Sequence, residues 1–428
     1  MKKAIIVGSG AGGAVTAKEL QGKFDVTVLE AGNAFKPFAP PLSAMEKLKK
    51  TGLFLDEREI QLVFPSMKIR KTRDRMVLVN GECLGGTTTI SAGNALRMDG
   101  DLKNLGIDLD TEFDEIYREI PISADHRGIW RESTRRLYDI CQEMNMDPQP
   151  APKMGDYGRC ISCGQCVLGC KSGVKWDSRR FLETALGNGA HLIRGCKAVS
   201  IGSENGRATG VYAQVGGHNA FYPADLVVLA AGGLSSPVIL QNSGIPCENS
   251  LFVDPVLCVA THWKDCMQNK EISMPFVAQR EHFILSPYFD HLSFFFNRNW
   301  KYPAKDTLSL MIKLEDSNTG SIDKKKVNKV LSDQDKERLK GGVELCAEIF
   351  RRLGISKDST FLGTLNAGHP GGMLPLTRAE SQTLHNPRLP ENLYVADATL
   401  LPKSLGNPPI LTIIAMAKKV SKICMKYC

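Results

Sequence analysis

Ala4-Ile5-Ile6-Val7-Gly8-Ser9-Gly10-Ala11-Gly12-Gly13-Ala14-Val15-Thr16-Ala17-Lys18-Glu19-Leu20 passes from a β-branched run through a glycine-rich turn into a helix-forming run. Residues 25–29 then read as a second strand, so the chain opens as strand, turn, helix, strand. Within the turn, Gly8, Gly10 and Gly13 form G-x-G-x-x-G. Glycines there permit the tight turn and let backbone N–H groups approach a pyrophosphate at the positive end of the helix. The second strand leads into Glu30, whose carboxylate can accept hydrogen bonds from a ribose diol. An acid at that place opposes a 2′-phosphate, so the reading is a dinucleotide other than NADP. A glycine turn with no ligand is the bland alternative.

Further along, Leu226-Val227-Val228-Leu229-Ala230-Ala231 is nearly all apolar, as expected of a parallel strand covered on both faces. Residues 392–396 read as another strand, and 409–426 as a closing helix. The fold class is α/β: a Rossmann-type nucleotide-binding domain with a mixed-sheet substrate domain. The expected organisation is a first nucleotide-domain segment over 1–100, a helical insertion over 101–180 that ends in a cysteine cluster, and a second nucleotide-domain segment over 181–250. The substrate domain follows over 251–365 and a C-terminal nucleotide-domain segment over 366–428. In the substrate domain, 283–288 and 292–296 read as aromatic strands and 332–353 as a helix.

The 428 residues, 43% hydrophobic with 39 glycines, supply ample core for roughly two to four folding units. Basic side chains number 54 against 46 acidic ones, and the net charge of +8 is spread along the chain, which argues against a nucleic-acid partner. No run of about 18 apolar residues is present, so no transmembrane segment is expected. Met1-Lys2-Lys3 leads straight into the first strand without room for a leader, and the expected location is cytoplasmic, at most peripheral to a membrane through a partner.

Gly81-Glu82-Cys83-Leu84-Gly85-Gly86-Thr87-Thr88-Thr89-Ile90 pairs glycines with a hydroxyl run, suited to close passage of backbone along a flat cofactor. Together with Gly232-Gly233-Leu234-Ser235-Ser236-Pro237 it resembles the two signature motifs of the glucose-methanol-choline (GMC) oxidoreductase family. His369-Pro370-Gly371-Gly372, Val395-Ala396-Asp397-Ala398-Thr399 and Gly406-Asn407-Pro408-Pro409 are similar to that family's ending, particularly its cholesterol-oxidase-like branch. The resemblance implies an FAD enzyme that oxidises a CH–OH group to a carbonyl, with His369 as the catalytic histidine and Asn407 as its hydrogen-bonding partner. It also implies FAD contacts from Gly8, Gly10, Gly13, Glu30, Gly85, Gly86, Thr87 and Thr88, and from Val199, Asp397, Ala398 and Pro408. Members with covalent flavin carry a histidine where this chain has Ile90, so the FAD is expected to be non-covalent. A histidine suits the role because hydride loss from an alcohol carbon requires the hydroxyl proton to leave, and imidazole accepts it near neutral pH. The substrate is expected to be a small-molecule alcohol.

Of 13 cysteines, four fall in Cys160-Ile161-Ser162-Cys163-Gly164-Gln165-Cys166-Val167-Leu168-Gly169-Cys170. This is C-x2-C-x2-C-x3-C, the spacing of a bacterial ferredoxin run, with Lys171 where proline usually follows. It points to an iron–sulfur cluster on Cys160, Cys163, Cys166 and Cys170, of three irons or four, with a distant cysteine as an alternative ligand. A zinc site and plain structural thiols are the other readings. Gly164 and Gly169 can turn N–H groups toward sulfide, and Arg159, Lys171 and Lys175 can offset cluster charge. Such a cluster makes the protein a dehydrogenase that passes electrons to an acceptor protein or subunit. The competing functions are a cluster-free alcohol oxidase using oxygen and an electron-transfer flavoprotein subunit without alcohol chemistry. His262, His282 and His291 read as surface or structural residues, and Phe294-Phe295-Phe296 with Trp300 as core, with the lining of an apolar substrate pocket as the alternative.

Overall fold

The computed structural model describes residues 1–51, 56–324 and 326–427. Among these, five parallel strands form one sheet in the order Leu393–Val395, Leu226–Leu229, Lys2–Val7, Phe24–Glu30 and His191–Arg194. Lys2–Val7 lies at its centre with Ala4, Ile5, Ile6 and Val7 buried, which is why the β-branched opening carries no polar alternation. The helix Ala11–Glu19 follows directly and packs so closely that side chains are excluded: a Cβ on Gly12 would sit 1.6 Å from the Ala396 carbonyl oxygen, and one on Gly13 1.9 Å from that of Gly8. The helices Arg179–Gly187 and Ile410–Tyr427 pack beside it.

A second, mixed sheet of nine strands is centred on Pro255–His262 and Thr307–Leu314. It draws in Met67–Lys71 and Val77–Gly81 from the early part of the chain. In Thr307–Leu314 the pleat separates two roles. Leu308, Leu310, Ile312 and Leu314 join the core under the helix Asp333–Arg352, whereas Met311 and Lys313 face the opposite side. The helix starts at a capping box in which Ser332 and Asp335 satisfy each other's backbone N–H groups.

One sequence expectation is corrected here. Residues 292–296 belong to the short helix His291–Phe296, not to a strand. The Asp290 carboxylate accepts hydrogen bonds from the N–H groups of Leu292 at 3.1 Å and Ser293 at 3.2 Å, and this cap outweighs the β preference of three consecutive phenylalanines.

Candidate active site

A cavity of about 950 Å³ lies between the two sheets. On the parallel-sheet side it is lined by Gly8, Gly10, Glu30, Gly86, Thr87 and Thr88, with Val199, Asp397, Ala398 and Pro408 further along. Gly8 (φ 98°), Gly85 (φ 89°) and Gly86 (φ 54°) occupy left-handed backbone that other residues rarely adopt. A Cβ on Gly86 would approach the Gly10 Cα to 3.1 Å, while one on Gly10 would meet nothing within 4 Å. The two glycine turns therefore face each other with an open channel beside Gly10. Gly13 and Gly85 do not line the cavity; Gly13 serves helix packing, and the Gly85 N–H donates to the Ser9 hydroxyl at 3.1 Å.

Glu30 accepts hydrogen bonds from the Ser9 N–H at 2.9 Å, the Ser9 hydroxyl at 2.6 Å and the Gly32 N–H at 2.8 Å. Burial raises its pKa and these donors oppose the rise. Asp397 accepts from the N–H groups of Gly232 at 2.8 Å and Thr399 at 2.9 Å and from the Ser236 hydroxyl at 2.5 Å. That ties the signature after the strand Leu226–Leu229 to the C-terminal motif.

His369 lines the cavity from the mixed-sheet side, and its Nδ1 has no hydrogen-bond partner. Asp254 Oδ2 lies 3.7 Å from that nitrogen and 2.6 Å from the ammonium of Lys313, both of these charged side chains being buried. The Ser404 hydroxyl donates to Asp254 Oδ1. Asp254 itself sits in left-handed backbone (φ 53°), with its N–H held by Asp316 Oδ1 at 2.8 Å. Asp316 in turn pairs with Lys329 at 2.8 Å. Burial first, then the nearby Lys313 charge, holds the His369 pKa well below the usual 6.5. The His369 side chain, 24% exposed, is part of the cavity lining. Asn407 is buried outside the lining. Its side-chain N–H donates to the Leu405 carbonyl at 3.2 Å, and its Oδ1 has no partner.

The four cysteines of the ferredoxin-like run line one small enclosed pocket with Tyr157, Gly164, Lys175 and Ile272. Among the described residues, no group of three or more His, Cys, Asp or Glu side chains is arranged to hold a metal ion. The Ser162 N–H points at the Cys160 sulfur at 3.4 Å, and the N–H groups of Val174 and Lys175 favour the Cys170 thiolate. Gly164 (φ 69°) and Gly169 (φ 92°) make the turns that pass the loop against Asn269 and Phe35. Arg159 is exposed, whereas Lys175 is buried, its ammonium donating to the carbonyls of Thr89 at 2.8 Å, Ser91 at 2.9 Å and Cys166 at 3.1 Å. Lys175 thus joins the cysteine loop to the hydroxyl run that lines the large cavity.

Sequence reading missed Asp254 and Lys313. The available signal was Lys313 itself, a lone cation in the otherwise apolar run Leu310-Met311-Ile312-Lys313-Leu314.

The chain is similar to several known proteins. It is 28% identical to an uncharacterized protein of Methanocaldococcus jannaschii over 97% of both chains. It is 23% identical to the long-chain-alcohol oxidase FAO4A of Arabidopsis thaliana, over 97% of this chain and 67% of that one. Among solved structures, pyridoxine 4-oxidase from Mesorbium loti superposes with a TM-score of 0.71 at 14% identity over 99% of both chains. A formate oxidase from Aspergillus oryzae does so with 0.70 at 14% identity over 99% of this chain and 98% of that one, which establishes a shared fold. Among the described residues, no helix is long and apolar enough to cross a membrane. The family model for GMC oxidoreductases matches residues 2–261, so the chain is an FAD-dependent oxidoreductase and belongs to the GMC family.

Proposed function

We propose that the protein oxidises a small-molecule alcohol to its carbonyl compound, with His369 as general base, and that electrons leave toward a redox partner by way of an iron–sulfur cluster. The observation that carries the first part is the unpartnered His369 nitrogen beside Asp254 and Lys313 in the cavity wall. The donor set fits a bound, non-covalent FAD. Gly10 leaves its channel open, the turns at Gly8 and Gly86 present backbone to the cavity, and Ile90 offers no histidine for a covalent link. Gly8, Gly10, Gly86 and Thr87 would hold the pyrophosphate, Glu30 the ribose, and Thr88, Val199, Asp397, Ala398 and Pro408 the remainder. Gly13 and Gly85 shape the turns. FAD, when bound, supplies the hydride acceptor. His369 takes the hydroxyl proton, and Lys313, fixed by Asp254, stabilises the oxygen as negative charge develops on it. Asn407 lies behind Pro408, which lines the cavity, and its unpartnered Oδ1 is left free to accept a hydrogen bond in the reaction, as His369's partner. The segments 1–100, 181–250 and 366–428 are assigned to the flavin unit, 101–180 to the cysteine-bearing insertion and 251–365 to the substrate unit, although Met67–Lys71 and Val77–Gly81 pair into the mixed sheet of the last.

The second part rests on the pocket shared by Cys160, Cys163, Cys166 and Cys170. The buried Tyr157 hydroxyl on its wall lacks a partner, as a donor awaiting a sulfide does. A cluster bound there would supply one-electron acceptance. Cys160, Cys163, Cys166 and Cys170 would hold it, and the Lys175 ammonium would offset its charge. The cysteine loop and the flavin-side hydroxyl run share that one ammonium, which supports a short path between the two sites.

The test is anaerobic mixing of the FAD-loaded protein with a panel of alcohols while flavin absorbance is followed, with iron and acid-labile sulfide assayed per FAD. Bleaching that slows about 10²–10⁴-fold in His369→Ala supports the base assignment. Bleaching unchanged by that substitution removes it. Three or four irons per FAD support the exit, and their absence together with alcohol-dependent oxygen uptake replaces the dehydrogenase with an oxidase.

A further inference from the structure

We infer that the substrate carries a second, uncharged polar group far from the reacting carbon, received by Tyr288 and His291 at the opposite end of the cavity. The inference rests on the alcohol-oxidising reading above and extends it to a substrate class. Met311, Lys313, Tyr288 and His291 all line the same cavity. Register places them along one strip of the mixed sheet. Lys313 pairs with Ile284 and Met311 with Ser286, and the Tyr288 N–H donates to the Ser309 carbonyl. From Lys313, which marks the His369 end, to the level of Ser309 is four residues along the strand, or ~13 Å.

At that far end, polar atoms are left without protein partners. His291 is 3% exposed, and neither of its ring nitrogens makes a hydrogen bond among the described residues. Burial lowers the pKa of the ring, and the nearby Phe289 backbone opposes that fall in part. Tyr288 also lines the cavity here, while the neighbouring Asp290 is fully engaged in capping the helix and binding the Ser293 hydroxyl at 2.5 Å. A buried imidazole with two free nitrogens costs stability unless something fills its bonds, and this one faces the cavity. Phe295, Phe296, Met274 and Met311 make the surrounding wall apolar. Burial keeps the imidazole neutral, and the Asp290 carboxylate beside it is taken up by its capping bonds, so the donors and acceptors left free at this end are uncharged. That combination recognises a hydroxyl or carbonyl on an elongated apolar body and selects against a carboxylate, which would enter an apolar pocket without a counter-charge.

The experiment compares decanol, decanediol and the non-oxidisable decanedione on the FAD-loaded wild type, His291→Phe and Tyr288→Phe. Turnover is read as kcat/KM, and binding of the dione as a shift of the flavin spectrum. The wild type is expected to prefer the diol over the mono-alcohol by about fivefold or more, the worth of one neutral hydrogen bond. Either substitution is expected to abolish that preference and weaken dione binding while decanol turnover is kept or improved. Equal treatment of diol and mono-alcohol by the wild type, or an equal fall on both in the variants, overturns the inference and leaves the alcohol reading standing. Dione binding that depends on His291, without oxidation of any alcohol, does the reverse. Neither binding nor turnover overturns both.

Discussion

Asp254 Oδ2 stands 3.7 Å from His369 Nδ1 and 2.6 Å from Lys313 Nζ, so a single carboxylate oxygen links the histidine to a buried cation. The arrangement is more than a partner for the histidine. The Lys313 charge reaches His369 and works with burial to keep the ring unprotonated, which is the form a proton acceptor needs.

This sets a pH dependence. Because the His369 pKa is depressed, the base stays available as pH falls, and the rate of flavin reduction by alcohol is expected to stay level from about pH 8 to about pH 6, past the ordinary imidazole pKa. In Lys313→Met the repelling charge is gone and Asp254 is left unpaired beside the ring. Both changes favour imidazolium, so the acidic limb of the profile moves upward into that range. Stopped-flow reduction rates across pH check it. An acidic limb in the same place in both proteins excludes Lys313 from controlling the base.

The channel beside Gly10 gives a second expectation. A Cβ there meets no protein atom within 4 Å, so Gly10→Val should fold normally yet place its methyl groups where the pyrophosphate is proposed to pass. The purified variant is expected to lose FAD, read as the flavin-to-protein absorbance ratio, while its melting transition stays near that of the wild-type apoprotein. Gly12→Val should fail differently. Its Cβ would lie 1.6 Å from the Ala396 carbonyl oxygen, and the helix would have to leave the sheet.

These sites divide by how their chemistry is written in the chain. Gly8, Gly10 and Glu30 could be read as candidates for nucleotide binding because that chemistry asks for glycine at fixed offsets after a strand, whereas the glycine pair at 85–86 was reached through the family resemblance. The parallel strands were legible because burial on both faces removes polar alternation. Asp254, Lys313 and Tyr288 were not, because they meet through the register of strands far apart in sequence, and a single lysine in an apolar strand has no local partner to announce it. The helix His291–Phe296 was misread for a related reason: its composition favours a strand, and only the Asp290 cap, an i to i+2 and i+3 interaction, starts it as a helix.

His291 offers a stability test independent of substrate. Burial takes its pKa from 6.5 to about 4 in the folded protein. Below the unfolded pKa the unfolded chain binds a proton that the folded chain does not, so stability present above about pH 6.5 is lost as pH falls toward 4. At ~1.4 kcal/mol per unit, the loss from this residue is about 3 kcal/mol. Denaturant titrations at pH 7 and about pH 4 should show His291→Phe less acid-sensitive than the wild type by roughly that amount. Equal sensitivity would mean that the folded ring takes up its proton freely.

The Lys329–Asp316 pair bears on the active site through the backbone. Both side chains are fully buried at 2.8 Å, and Asp316 also accepts hydrogen bonds from the N–H groups of Val253 at 3.2 Å and Asp254 at 2.8 Å. Lys329→Met leaves that carboxylate buried without its counter-charge and should cost about 3–5 kcal/mol. Adding Asp316→Asn removes the stranded charge while keeping an amide oxygen for the two N–H groups, so the double variant should recover most of the loss. The comparison is made in urea, with the His369-dependent reduction rate as a second readout. If Asp316 acts by holding the Asp254 backbone, the single variant lowers both stability and rate and the double variant restores both. A double variant no more stable than the single one would show that the cost came from lost packing around the lysine stem instead of from an unpaired charge.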